Sequence, residues 1–290
     1  MTILAAGIAA IFGIMLSVLA IGIALVFVQG RRAPEGDPVY VAMGSSFAAG
    51  IGLGSRVPGS PVLCMRTINS YPQQLARLLA MPIVDVTSSG ATTRHVLHGG
   101  QYFQRAQIDA LGPDTKLVTL TCGGNDISYV GDLSGLAARR TNSLLGWLVR
   151  RFWRGPKDAE QRGYAGLNED IVAVVTEVRR RSPGARIVLV TYPTILPPSG
   201  TCDCLGLSEP EAALMREVGQ SLADTTKAAA EQSGALLVDI QQLSAGHHAC
   251  ASAPWVNGWH KPAGTRFHPT LSGASETASA IALALQAAMD

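Results

Sequence analysis

Val39-Tyr40-Val41-Ala42-Met43, followed at once by Gly44-Ser45-Ser46-Phe47-Ala48-Ala49-Gly50, is the stretch on which the reading of the fold turns. An apolar run without polar alternation is expected of a strand buried on both faces, as in a parallel sheet. The small-residue turn behind it uncovers backbone amides and leaves a hydroxyl, Ser46, at the strand's carboxyl end. Four more runs share this character: Ile83–Val86, Leu117–Thr121, Ile187–Thr191 and Leu236–Ile240. Helical stretches lie between and after them, at Tyr71–Ala80, Leu167–Arg181, Glu209–Ser233 and Ser272–Met289. The third is marked at its start by Ser208 with Glu211 three residues on, a reciprocal cap, and at its end by Gly234. Strand and helix alternate throughout, which predicts βαβ crossovers and a three-layer α/β/α domain around a five-stranded parallel sheet.

Outward from this core, residues 1–30 predict an N-terminal transmembrane anchor. Ile3 to Val28 carries no charge, and at ~1.5 Å per residue such a helix spans a hydrocarbon core of ~30 Å. A cleaved signal peptide would have basic residues before a shorter apolar region and a small-x-small site after it, and neither is evident. Residues 31–38, with Pro34, Gly36 and Pro38, read as a linker, and residues 39–290 as one domain. Arg31 and Arg32 taken alone argue for a cytoplasmic domain. The five cysteines argue the other way, since a pair such as Cys202 or Cys204 with Cys250 suits an oxidising compartment. The expectation is a membrane-anchored, extracytoplasmic domain. A net charge of +2 with 15% charged residues gives no field for nucleic acid. Cys202, Cys204, His247, His248 and Cys250 fit no standard zinc spacing, so neither a metal nor a cofactor is expected.

In parallel sheets of this kind ligands bind at the carboxyl ends of the strands, and three polar clusters fall there. The first is the Ser46 turn, the second Ser88-Ser89-Gly90-Ala91-Thr92, the third Gly123-Gly124-Asn125-Asp126. Phe267-His268-Pro269-Thr270 then precedes the last helix. These four blocks, in this order, resemble the SGNH/GDSL hydrolases. The resemblance extends over the whole domain and implies a flavodoxin-like SGNH hydrolase fold and an esterase or lipase acting on a small-molecule or lipid ester. It implies Ser46 as nucleophile, His268 as base, and an oxyanion hole from the Ser46 amide, the Gly90 amide and the Asn125 side chain. Asp126 is assigned a structural role.

Two positions depart from the family pattern. Ser45 stands where aspartate is usual, and Thr265 stands three residues before the histidine, where the family places its triad acid. A backbone carbonyl can select the same imidazole tautomer, because it only accepts a hydrogen bond. The expectation is therefore a Ser46/His268 dyad oriented by the carbonyl of Thr265 or a neighbour. Rival readings are an acyltransferase modifying an envelope glycan or lipid, which shares the acyl-serine, and a non-catalytic envelope-binding protein. An α/β-hydrolase is rejected because Ser46 follows the first strand of the domain. Gly131–Ala165 carries seven basic and three acidic residues beside Leu144, Leu145, Trp147, Leu148, Phe152 and Trp153. It reads as a basic amphipathic helix at a membrane or over an acyl groove, or as an ordinary packed helix.

Overall fold

The computed structural model describes residues 2–260 and 262–288. The outermost residues of the 1–30 and 39–290 spans, and Met289 of the expected last helix, lie outside the described residues. Five strands form one sheet: β1 (Tyr40–Gly44), β2 (Ile83–Asp85), β3 (Leu117–Thr121), β4 (Arg186–Val190) and β5 (Leu236–Val238). All pairings are parallel, in the order β2-β1-β3-β4-β5. Ten helices are described: α1 (Thr2–Arg31), α2 (Ser46–Ala49), α3 (Tyr71–Leu78), α4 (Thr93–His98), α5 (Tyr129–Arg139), α6 (Leu144–Phe152), α7 (Tyr164–Arg181), α8 (Glu209–Ser233), α9 (Ile240–Leu243) and α10 (Leu271–Ala287).

Alternation along each strand sorts the core into two faces. Val41, Met43, Val118 and Leu120 join the cluster beneath α4, α5, α7 and α8. Tyr40, Ala42, Leu117 and Val188 join the one beneath α3 and α10. Both faces are covered by helices, so the strands read as unbroken apolar runs. The bounds of α8 are those the capping signals predict: Ser208 and Glu211 form the reciprocal cap, and Gly234 ends the helix in the left-handed region (φ 65°).

The apolar helix α1 is long enough and apolar enough to cross a membrane, and its side chains from Ile11 onward are largely exposed until Gly30. The linker then passes the edge strand, where Gly36 lies against Val84. Helix α6 packs in part only, with Val149 against the core. Gly146 is its buried residue, while Leu144, Trp147 and Phe152 face outward. The first turn of α6 is pinned instead by polar bonds, with Ser143 capping Gly146 and Arg150 donating to the Thr141 carbonyl (2.8 Å).

Candidate active site

Three turns meet at the carboxyl end of the sheet, knitted by one bond each. The Ser45 amide donates to the Thr121 carbonyl (2.9 Å) and the Ser88 amide to the Gly44 carbonyl (3.0 Å). Asn125 Nδ2 donates to the Ala91 carbonyl (2.8 Å). The turns after β1, β2 and β3 are thus held edge to edge, as the place of β1 between β2 and β3 requires.

Gly44 is the tightest point. It sits at φ 134°, and a Cβ there would lie 2.3 Å from the Thr121 carbonyl oxygen. The buried Gln107 clamps it, accepting from its amide (2.7 Å) and donating to its carbonyl (3.0 Å). Tyr192 joins the first turn to the third, since its hydroxyl accepts from the Gly124 amide (3.2 Å) and meets Ser45 Oγ at 2.9 Å. Serine at position 45 therefore has a defined partner. Asp126 accepts from the Thr93 amide (3.0 Å) and hydroxyl (2.6 Å), tying the Gly-Gly-Asn-Asp turn to the start of α4. Burial raises its carboxyl above the ordinary range.

Ser46 opens α2, and its amide, like that of Gly90, donates to no protein acceptor among the described residues. Gly90 holds φ 81°, and a Cβ there would lie 2.9 Å from Gln101 Nε2. Ser46 Oγ lies 2.8 Å from His268 Nε2, and His268 Nδ1 lies 2.8 Å from the Arg266 carbonyl oxygen. A carbonyl only accepts, so Nδ1 carries the ring hydrogen and Nε2 is the bare nitrogen facing the hydroxyl. Phe47 covers the imidazole, with ring centroids 4.9 Å apart. Burial pushes the histidine down to about 4, opposed by its bond to the Arg266 carbonyl, and no carboxylate contributes.

Of the two carbonyls expected to face the ring, Thr265 or a neighbour, the one that meets Nδ1 is the neighbour's, that of Arg266, and not that of Thr265. The Thr265 carbonyl is taken by the His268 amide (3.2 Å), which closes a turn and leaves the next carbonyl to face the ring. That turn includes Phe267 in the left-handed region (φ 54°), fully buried.

Sequence reasoning missed Asn257, whose Nδ2 donates to the His268 (3.1 Å) and Pro269 (3.2 Å) carbonyls and whose Oδ1 accepts from Ala263 (3.0 Å). No local pattern marks it, because its partners come from a return of the chain. Arg266 is held in turn by the Trp259 carbonyl (2.9 Å) and stacks over that indole (4.4 Å). The Cys204 carbonyl receives the amides of Trp259 (2.7 Å) and His260 (2.9 Å). The disulfide joins Cys202 to Cys250, and Cys204 is a free thiol. Two of the three clustered sulfurs are therefore not thiolates that a metal could take.

The sequence model of the GDSL-like Lipase/Acylhydrolase family matches residues 42–275. The chain belongs to this family. Among relatives of this acylhydrolase, Lipase 2 of Streptomyces coelicolor is 33% identical over 234 residues, covering 77% of this chain and 76% of that one. The crystal structure of an extracellular lipase from Streptomyces rimosus matches with a TM-score of 0.68 at 27% identity, covering 84% of this chain and 98% of that one. Phospholipase A1 from Streptomyces albidoflavus matches with a TM-score of 0.65 at 27% identity, covering 87% and 98%. This GDSL-like acylhydrolase is a carboxylic ester hydrolase with the α/β fold of the SGNH lipases.

Proposed function

We propose that the enzyme cleaves carboxylic esters through an acyl-enzyme on Ser46. His268 Nε2 takes the hydroxyl proton as the serine oxygen attacks the ester carbonyl. The resulting oxyanion is met by the Ser46 and Gly90 amides and by the Asn125 amide hydrogen not engaged by Ala91. Fixed donors of this kind contribute ~3–4 kcal/mol each to lowering the barrier. His268 returns the proton to the leaving alcohol, and water then repeats the sequence on the acyl-serine. The Arg266 carbonyl holds the tautomer and takes the place of the family's carboxylate.

The 2.8 Å contact between Ser46 Oγ and His268 Nε2, across 222 residues of chain, carries this reading. It is tested by labelling with a fluorophosphonate. The wild-type chain is expected to react at Ser46, and Ser46→Ala to lose both labelling and ester turnover by more than about 10³-fold. Labelling that survives in Ser46→Ala would overturn it.

The reading extends to the division of the chain into a membrane anchor (1–30), a linker (31–38) and a hydrolase domain (39–290) facing an extracytoplasmic compartment. The Cys202–Cys250 disulfide supports that side of the membrane. A retained anchor is supported by Gly30, where a Cβ would lie 2.5 Å from the Tyr102 carbonyl oxygen, because a helix that is cut away has no need of a fitted seat. Long-chain or glycerolipid esters are the proposed substrates, in keeping with relatives named as lipases and a phospholipase A1.

A further inference from the structure

The last turn of α1 is seated on the same wall that holds Gly90. Phe27 meets Phe103 edge-on with centroids 5.6 Å apart, and the Gln29 side-chain oxygen accepts from the Val62 amide (3.1 Å). Two hydrogen-bond paths lead from this seat to the oxyanion turn. Gln101 Nε2, which a Cβ at Gly90 would meet at 2.9 Å, donates to the Ser89 carbonyl (2.8 Å). The Ser89 amide donates to the Cys64 carbonyl (3.0 Å), and Gln104 Nε2 donates to the Cys64 sulfur (3.0 Å). The helix exit, the Val62–Met65 turn, the Gln101–Phe103 turn and Gly90 thus form one connected piece.

The outer surface of this piece is apolar. Val62, Met65, Tyr102 and Phe103 are exposed by 53%, 44%, 41% and 43%. Three of them also hold left-handed backbone: Met65 at φ 56°, Tyr102 at 48° and Phe103 at 60°. Bulky side chains rarely adopt that region, where glycine or asparagine would be relaxed. Strain of this kind persists where function holds it in place, and here it aims large apolar groups outward, beside the apolar surface of α1. Arg31 and Arg32 follow at the helix end, placed for lipid phosphates.

We infer that this rim is embedded in the headgroup and upper acyl region of the membrane that holds α1, so that the Ser46 site takes its ester from that same bilayer. The inference rests on α1 being an anchor and Ser46 the nucleophile, and it adds the orientation of the site and the source of the substrate. Of these four side chains only Tyr102 carries a hydrogen-bonding group for a soluble peptide or glycan, whereas a bilayer needs only the rim's continuity with α1.

The full chain, in a Cys204→Ser background, would be reconstituted into phosphatidylcholine vesicles carrying a nitroxide-labelled lipid. An environment-sensitive fluorophore would be placed singly at Val62→Cys, Met65→Cys, Leu78→Cys or Leu283→Cys, the last two being exposed positions toward the carboxyl ends of α3 and α10. Quenching at the first two at least about threefold stronger than at the last two is expected, and equal quenching overturns the inference. In a second arm, a phospholipid ester in the enzyme's own vesicles should be hydrolysed at least about tenfold faster than the same ester in separate vesicles; equal rates also overturn it. A chain that fails to float with the vesicles removes the anchor and the inference together. Loss of Ser46 labelling would strike the catalytic reading and, with it, the source of the ester, while quenching alone still decides whether the rim is embedded.

Discussion

The two sides of the proposed dyad are built by different means. Ser46 stands at the end of an interior strand, and its turn is fixed by main-chain bonds that the sheet itself supplies, from Ser45 to Thr121 and from Ser88 to Gly44. His268 stands in a stretch from Ser244 to Thr270 that carries, among the described residues, no helix or strand beyond the bridge between Val256 and Pro269. What fixes it is specific side-chain chemistry: Asn257, the Arg266–Trp259 stack and a disulfide. Topology alone can place a nucleophile at a strand end. A base arriving from the far end of the chain needs a scaffold of its own.

The sharpest way to break this contrast is on the nucleophile's side. Gly44→Ala places a methyl 2.3 Å from the Thr121 carbonyl oxygen at φ 134°, and should cost at least ~3 kcal/mol or prevent folding. Thermal unfolding reads this directly, and an unchanged midpoint would contradict a turn imposed by the sheet. On the base's side, Asn257→Ala removes bonds to two carbonyls and one amide. It should cost ~2–3 kcal/mol and lower kcat/KM on a soluble ester by about 10- to 100-fold through a misplaced ring. Turnover within twofold of wild type would mean that the histidine needs no such support.

Acidity gives a third probe. Burial depresses His268 to about 4, so the folded protein holds the ring neutral where the unfolded chain would bind a proton. The stability it contributes is complete above the unfolded value of ~6.5 and is lost as pH falls toward about 4. The acid limb of kcat/KM should likewise lie near 4, since it reports the free enzyme's base. A limb near 6.5 would indicate a solvated ring. The smallest effect is expected of Thr265→Asp. The Nδ1 hydrogen is already taken by the Arg266 carbonyl, and the Thr265 hydroxyl abuts Gly52, so turnover should stay within about twofold. A larger gain in steady-state assays would mean that an acid can still reach the ring.

The same contrast explains what was legible in the sequence. Five apolar runs announced five strands because burial on both faces leaves no room for polar alternation, and the polar clusters behind three of them announced the turns. Helix α8 was readable to the residue because its caps are local chemistry. The choice between the carbonyls of Thr265 and Arg266 was not readable, since it depends on the left-handed backbone of a buried phenylalanine that nothing nearby in sequence demands. Asn257 escaped notice for a similar reason, with partners 6, 11 and 12 residues away. The outward face of α6 was ambiguous because an amphipathic pattern says that a helix has an apolar side without saying what covers it.

The sulfur of Cys204 rests 3.1 Å from that of Cys202, and both compete for one partner during oxidation. Were Cys250 joined to the wrong one of the two, the carbonyl that receives Trp259 and His260 would be dragged aside, and with it the strap leading to the proton acceptor. Correct thiol pairing is thereby expected to be a condition of the proposed dyad, and a chain that joins Cys204 to Cys250 is expected to keep its sheet while losing ester turnover.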